Sequence, residues 1–337
     1  MASSDSWRTI TDALLGPAEF TAVEVAERAG VDPEQSIRLW QALGFPPAGP
    51  DERIFTRADV EILQTVRALM EQQDPEPAAL LQLTRVIGQS LARVADAQVT
   101  VSAERILRDR ADATTALFDD PRALVDRISA FAPIVEQFLR YVWRRHLLAA
   151  ILRLAAVPSA ADHIVTVGFA DLVGFTALSE ALDARELAAM VDRFESTTYE
   201  QILARGGRVV KMIGDEVMFA ADEAVAAAEI GLALVDAHAR DAALPDMRVG
   251  LARGPTLSWE GDLFGPTVNL ASRLVNLARP HTVLVSDELG ELLHDHPAFV
   301  VRHLRPVQLQ GIGRVRTWVL RRKETTDEHR TPPAPHR

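Results

Sequence analysis

The chain has 337 residues, 48% hydrophobic and 25% charged, which suits two ordinary globular domains and excludes a disordered or fibrous protein. Its formal charge of −11 argues against a general affinity for nucleic acid, whose backbone is held by clustered Lys and Arg. Cysteine is absent, which excludes disulfides and thiolate metal sites and leads us to expect a cytoplasmic location.

No secretory signal is expected, because the start, Met1 to Arg8, lacks a basic segment followed by an apolar run. Thr21 to Ala29 and Pro33 to Leu43 then carry apolar residues at helical spacing. They are joined by Gly30-Val31-Asp32, with Asp32 placed to cap and Pro33 in the first turn. A loop through Asp51 leads to a further helix, for which Thr56 and Asp59 stand in capping-box positions. Residues 20–70 resemble the winged helix-turn-helix of MerR-type transcription regulators. Between Thr21 and Met70, however, five Arg stand against eight Asp and Glu. That sign is wrong for reading a duplex, so we expect a scaffold for protein contacts, with no nucleic acid as partner.

Beyond Pro77 the helical spacing continues through Leu80, Leu83, Ile87, Leu91 and Val94, and again from Val101 to Leu117. Asp120 before Pro121 signals another cap, and Pro133 is expected to kink or restart the helix that follows. From Ile134 to Ala156 apolar side chains such as Phe138, Tyr141, Leu148 and Ile151 cover much of the circumference. Such a helix should pack on several sides, within its domain or across a dimer. Leu147 to Val157 is too short and, with Arg153, too polar to span a membrane, so no spanning segment is expected.

Strand-like segments become frequent only after His163. This sets the expected boundaries: a helical domain with its linker over residues 1–158, a second domain over 159–324, and a polar, Pro-rich, mobile tail over 325–337. His163 to Ala170 reads as a buried strand ending at Asp171, with the turn from Leu172 to Thr176 opening a helix. A carboxylate beside a helix N-terminus suits a metal ion and a polyphosphate together. Asp183 and Glu186 form a capping box for a helix ended by Gly206-Gly207. Arg208 to Ala220 reads as a hairpin with Gly214-Asp215 at its tip. Val249 to Leu251, Thr282 to Ser286 and Trp318 to Leu320 supply further strands, and an Ala-rich helix lies within Val217 to Leu234. The class is α+β, a mixed sheet with helices over one face.

Three motifs in order carry a resemblance: Phe-Ala-Asp-Leu-Val-Gly-Phe-Thr at 169–176, Lys-Met-Ile-Gly-Asp-Glu at 211–216, and Gly-Asp-Leu-Phe-Gly-Pro-Thr-Val-Asn-Leu-Ala-Ser-Arg at 261–273. Together they are similar to the class III nucleotidyl cyclases, over about His163 to Arg321. The resemblance implies a ferredoxin-like, palm-type catalytic domain behind a regulatory helical domain. It assigns Asp171, Leu172 and Asp215 to two divalent cations, Mg²⁺ or Mn²⁺, and Phe175 and Thr176 to the substrate. Asn269 would orient the ribose and Arg273 would meet the charge at the α-phosphate; as i and i+4 on a helix they share a face. Lys211 and Asp262 would read the base. A Lys donating to a ring nitrogen and an Asp accepting from an exocyclic amine fit adenine, so ATP is the expected substrate and cyclic AMP the product. In this family the base and ribose residues approach from the opposite subunit, so a chain with all six should form a homodimer with two shared sites.

Two departures are visible. Gln310 precedes Gly311-Ile312-Gly313 where many relatives carry a Lys or Arg for the triphosphate, with Arg314 or Arg316 as candidate substitutes. Arg253 and Trp259 occupy positions where other residues are common, so altered access to the site is expected. Singly, Asp171 reads as a helix cap, Asp215 as a turn residue and Lys211 as a solvated strand residue; their combination decides for the cyclase. A catalytically silent nucleotide sensor and a nucleotide-controlled DNA-binding regulator are the alternatives. The complete set of six residues argues against the first, and the acidic N-terminal segment against the second. The architecture is also similar to bacterial cyclases restrained by a helical domain until acidification, which makes His146 and His163 the candidates for a pH response.

Overall fold

The computed structural model describes residues 4–73, 76–108, 121–156 and 164–323, and the chain divides into two units, Met1–Ala156 and Val157–Arg337. The helical unit contains α1 (Ser4–Leu14), α2 (Ala22–Ala29), α3 (Pro33–Ala42), α4 (Arg57–Gln73), α5 (Pro77–Arg108) and α6 (Pro121–Ala156). Thr21 and Glu24 close a capping box on α2, and Asp32 caps α3 ahead of Pro33. At α4 Asp59 alone does the capping, accepting from both Thr56 N and Thr56 Oγ1 at 2.6 and 2.9 Å. A small core of Val25, Ala29, Leu39 and Leu63, flanked by Trp40 and Phe55, holds α2 to α4 together.

Two expectations for this unit change. The apolar run after Pro77 and the segment from Val101 form one unbroken helix of 32 residues, with Leu117 outside the described residues. Pro133 lies inside α6 without ending it, because enough turns flank it for the helix to propagate past the one missing N–H bond. Among the described residues, the packing on several sides expected for α6 is not made: Phe138, Tyr141, Trp143 and Leu152 are each more than 60% exposed.

The second unit is built on a seven-stranded sheet of order β2-β3-β1-β4-β7-β11-β8. Its strands are β1 (Ile164–Leu172), β2 (Arg208–Ile213), β3 (Glu216–Ala221), β4 (Met247–Pro255), β7 (Val283–Ser286), β8 (Phe299–His303) and β11 (Thr317–Arg322). All neighbours are antiparallel except β4 and β7, which run parallel and so need a crossover. Two hairpins stand apart, β5 (Leu257–Trp259) with β6 (Asp262–Phe264), and β9 (Val307–Leu309) with β10 (Gly313–Val315).

The helices are α7 (Phe175–Ala181), α8 (Ala184–Leu203), α9 (Ala224–Arg240), α10 (Pro266–Leu277) and α11 (Asp287–Leu293). Strand alternation sorts the core into two layers. Ala170 and Leu172 of β1, with Val249 and Leu251 of β4, pack beneath α8, α9 and α11. Val165, Val167 and Phe169, with Ala252, pack against Ala271, Leu274 and Val275 of α10 on the opposite face. Helices therefore cover both faces, which corrects the one-face expectation. Gly250 is what lets α10 settle: a Cβ there would lie 2.2 Å from Val275 N and 2.6 Å from the Ala271 carbonyl oxygen. Where α10 sits decides the site.

Candidate active site

Asp171 is the next-to-last residue of β1, and the antiparallel register sets it between Glu216 of β3 and Arg248 of β4. Being odd-numbered on β1, like Val167 and Phe169, it belongs to the α10 face. Arg248 donates from Nε (2.8 Å) and Nη2 (2.5 Å) to the same carboxylate oxygen, Oδ2. Asp215 arrives from the tip of the β2–β3 hairpin, whose turn is anchored by Leu172 N donating to the Asp215 carbonyl at 3.2 Å. Gly214 takes the positive φ of 63° that this tight turn requires.

These elements enclose a cavity of about 430 Å³ lined by Asp171, Leu172, Phe175, Thr176 and Asp215, together with Glu216, Arg248, Ser272 and Asn276. Negative charge is in surplus there. Burial pushes the Asp171 carboxyl up, opposed by Arg248 and aided by Asp215. Burial and then the charges of Asp171 and Asp215 push Glu216 up to about 7. Oxygen donors on a strand end and a facing hairpin tip, left with excess negative charge, fit hard divalent cations such as Mg²⁺ or Mn²⁺, which need one or two carboxylates and complete their shell with water and phosphate.

Lys211, Asp262, Asn269 and Arg273 do not line this cavity. Lys211 of β2 forms an ion pair with Asp262 Oδ2 of β6, and the other oxygen, Oδ1, accepts from Leu263 N at 2.7 Å. Asn269 and Arg273 sit exposed on α10. The six charged and polar residues thus fall into two sets within one chain, Asp171 and Asp215 in the cavity and Lys211, Asp262, Asn269 and Arg273 outside it.

Six lining residues were not anticipated: Gly174, Ile213, Glu216, Arg248, Ser272 and Asn276. Arg248 had a readable signal, a lone charge inside the otherwise apolar Met247-Arg248-Val249-Gly250-Leu251 run. Arg253 does not line the cavity. Its Nη1 donates to Thr166 Oγ1 (3.1 Å) and the Asp222 carbonyl (2.7 Å). Five residues of β1, about 17 Å, separate Thr166 from Asp171. Trp259, half exposed and opposite Asp262, does not line the cavity either. Arg316 is paired with Asp287 at 2.7 Å, and Arg314 is exposed on β10. His146 is exposed on α6, while His163 and the 325–337 tail lie outside the described residues.

A mixed sheet with a carboxylate pair at a strand end and a hairpin tip is the arrangement expected of a nucleotidyl cyclase catalytic domain. Residues 157–322 match the family model for the adenylate and guanylate cyclase catalytic domain, and residues 8–148 match that for the adenylate cyclase regulatory domain. The chain is 36% identical over 341 residues to an adenylate cyclase of Streptomyces coelicolor, covering 90% of this chain and 86% of that one. It is 33% identical over 315 residues to a pH-sensitive adenylate cyclase of Mycobacterium tuberculosis, covering 90% and 79%. Among solved structures it is similar to the adenylyl cyclase CyaB of P. aeruginosa, with 25% identity and a TM-score of 0.43 over 49% of this chain and 97% of that one. The chain belongs to the class III adenylate and guanylate cyclase family, with an N-terminal regulatory domain of the adenylate cyclase type. Among the described residues, no helix is long and apolar enough to cross a membrane.

Proposed function

We propose that two copies of this chain convert ATP to 3′,5′-cyclic AMP and pyrophosphate in the cytoplasm, at two sites shared across a symmetric dimer. The observation carrying this reading is the partition of the six residues: Asp171 and Asp215 line one cavity while Lys211, Asp262, Asn269 and Arg273 lie outside it. Among the described residues, the groups expected to read the base stand outside the cavity that would hold the triphosphate. A second copy related by a two-fold axis supplies the missing set, and supplies it twice.

In this reaction the ribose 3′-hydroxyl loses its proton to solvent, its oxygen forms a bond to the α-phosphorus, the bond from that phosphorus to the bridging oxygen breaks, and pyrophosphate leaves. Two bound divalent cations would lower the pKa of the 3′-hydroxyl and neutralise the pyrophosphate charge. Asp171 and Asp215 would hold them, with Leu172 alongside. Arg248 opposes the upward push of burial on Asp171 by donating to one carboxylate oxygen, which leaves the other for a cation. Phe175 and Thr176 bound the cavity where the phosphates enter. From the other copy, Lys211 donates to the adenine ring nitrogen and Asp262 accepts from the exocyclic amine. Their mutual ion pair holds the two side chains together. Asn269 orients the ribose, and Arg273 stabilises the charge gathering on the α-phosphate, a positioning and electrostatic role suited to phosphoryl transfer. Arg314 is the candidate for the triphosphate contact that Gln310 cannot make. The helical unit regulates this activity, a role supported by its match to the regulatory-domain model.

The test is incubation of the purified chain with ATP or GTP and Mn²⁺ or Mg²⁺, with products identified by mass spectrometry. Cyclic AMP from ATP that disappears in Asp171→Ala is expected. Equal product from both proteins, or cyclic GMP as the main product, would reject the reading.

A further inference from the structure

Helix α10 carries Asn269 and Arg273, yet it is Ser272 and Asn276 of the same helix that line the cavity of their own chain. At 100° per residue the four side chains fall within an arc of about 100°, two adjoining ridges of one polar stripe. The opposite side of the helix, with Ala271, Leu274 and Val275, is buried against the sheet. The bare backbone at Gly250 sets how deep the helix lies. Arg248, two residues before Gly250 on the same strand face, donates from Nη1 to the Asn276 carbonyl at 3.4 Å. Arg248 also binds Asp171, so the last turn of α10 is tied through one guanidinium to the Asp171 carboxylate. Asn276 Nδ2 spends one of its two hydrogens on the Ser272 carbonyl at 2.9 Å and keeps the other, with its amide oxygen, at the cavity wall.

We propose, on the shared-site reading given above, that α10 serves both sites of the dimer at once. Ser272 and Asn276 bind the polyphosphate held by their own chain's Asp171 and Asp215, while Asn269 and Arg273 act on the nucleotide held by the other copy. The ligand chemistry follows from the groups: a hydroxyl and an amide N–H are neutral donors beside Arg248, matched to the β- and γ-phosphoryl oxygens that become pyrophosphate. Neutral donors add contacts to phosphate without competing with the carboxylates for cations.

Full-length chains carrying two different tags allow heterodimers to be isolated in which one copy bears Asp171→Ala and the other Arg273→Ala. Only one intact site then remains, built from the Asp171 of one copy and the Arg273 of the other. Adding Ser272→Ala and Asn276→Ala to the copy with intact Asp171 should raise the ATP KM and the pyrophosphate inhibition constant about tenfold, the loss expected for two neutral hydrogen bonds. The same pair on the Asp171→Ala copy should leave both constants unchanged. Alanine is the best helix former, so neither change unwinds α10. Equal effects from either copy, or none from either, would overturn the two-site role of the helix while leaving the shared site standing. An inactive starting heterodimer would overturn the shared site itself, and the two-site role with it.

Discussion

Glu216 offers a quantitative test of the charge surplus at the site. Its carboxyl is pushed from 4.5 to about 7, first by burial and then by Asp171 and Asp215. A raised carboxyl binds its proton more tightly in the folded state, so folding stability is lost as pH rises from 4.5 to about 7, and the whole penalty is present above 7. The shift corresponds to at most about 3 kcal/mol at pH 8, reduced by solvent screening at a partly exposed side chain, and to less than about 1 kcal/mol at pH 5. Glu216→Gln in EDTA should therefore raise the melting temperature of the catalytic unit by up to about 10 °C at pH 8 and barely at pH 5. Calorimetry of the full chain measures this, the relevant transition being the one that Mn²⁺ shifts in the unaltered protein. A variant no more stable than the parent at pH 8, or equally stabilised at both pH values, would refute the reasoning.

Three further outcomes are expected. Arg248→Met removes the charge-assisted hydrogen bonds on Asp171 Oδ2, worth about 1.5–3 kcal/mol, so kcat/KM should fall about 10- to 100-fold with a higher Mn²⁺ requirement in steady-state assays. Gly250→Ala drives a Cβ into the α10 backbone and should cost at least about 1–3 kcal/mol in denaturant titrations, with cyclase activity lost because Asn269 and Arg273 move with the helix. His238 is buried, its Nδ1–H donating to the Pro245 carbonyl at 3.1 Å and its Nε2 without a partner among the described residues. Burial holds its pKa below the ordinary value of 6.5. The unfolded chain therefore binds the proton first, and the stability His238 contributes is full above 6.5 and lost as pH falls below it. In His238→Gln that acid-side loss should disappear when the variant and parent are compared by denaturation at pH 5 and 7.5.

What the sequence disclosed follows the range of the interaction. Caps, the Gly214-Asp215 turn and the buried β1 strand are set by residues a few positions apart, so local pattern alone puts Asp171 at a strand end and Asp215 at a hairpin tip. The pairing of Asp171 with Arg248 spans 77 residues and depends on β1 lying antiparallel beside β4, which no local pattern specifies. The same holds for α10. Its apolar stripe marks a buried face, but only Gly250 and the parallel β4–β7 step fix which side of the sheet receives it. Pro133 inside α6 shows the opposite failure, a strong local breaker overridden by the turns on either side.

The most direct measurement is complementation between two disabled chains. Co-expressed full-length Asp171→Ala and Arg273→Ala chains, each without activity alone, should together form cyclic AMP at about a quarter of the parental rate, because about half the dimers are mixed and each has one complete site. Activity no greater than either variant alone would contradict sites assembled from two copies, and with it the division of labour between the Asp171 cavity and the Arg273 face.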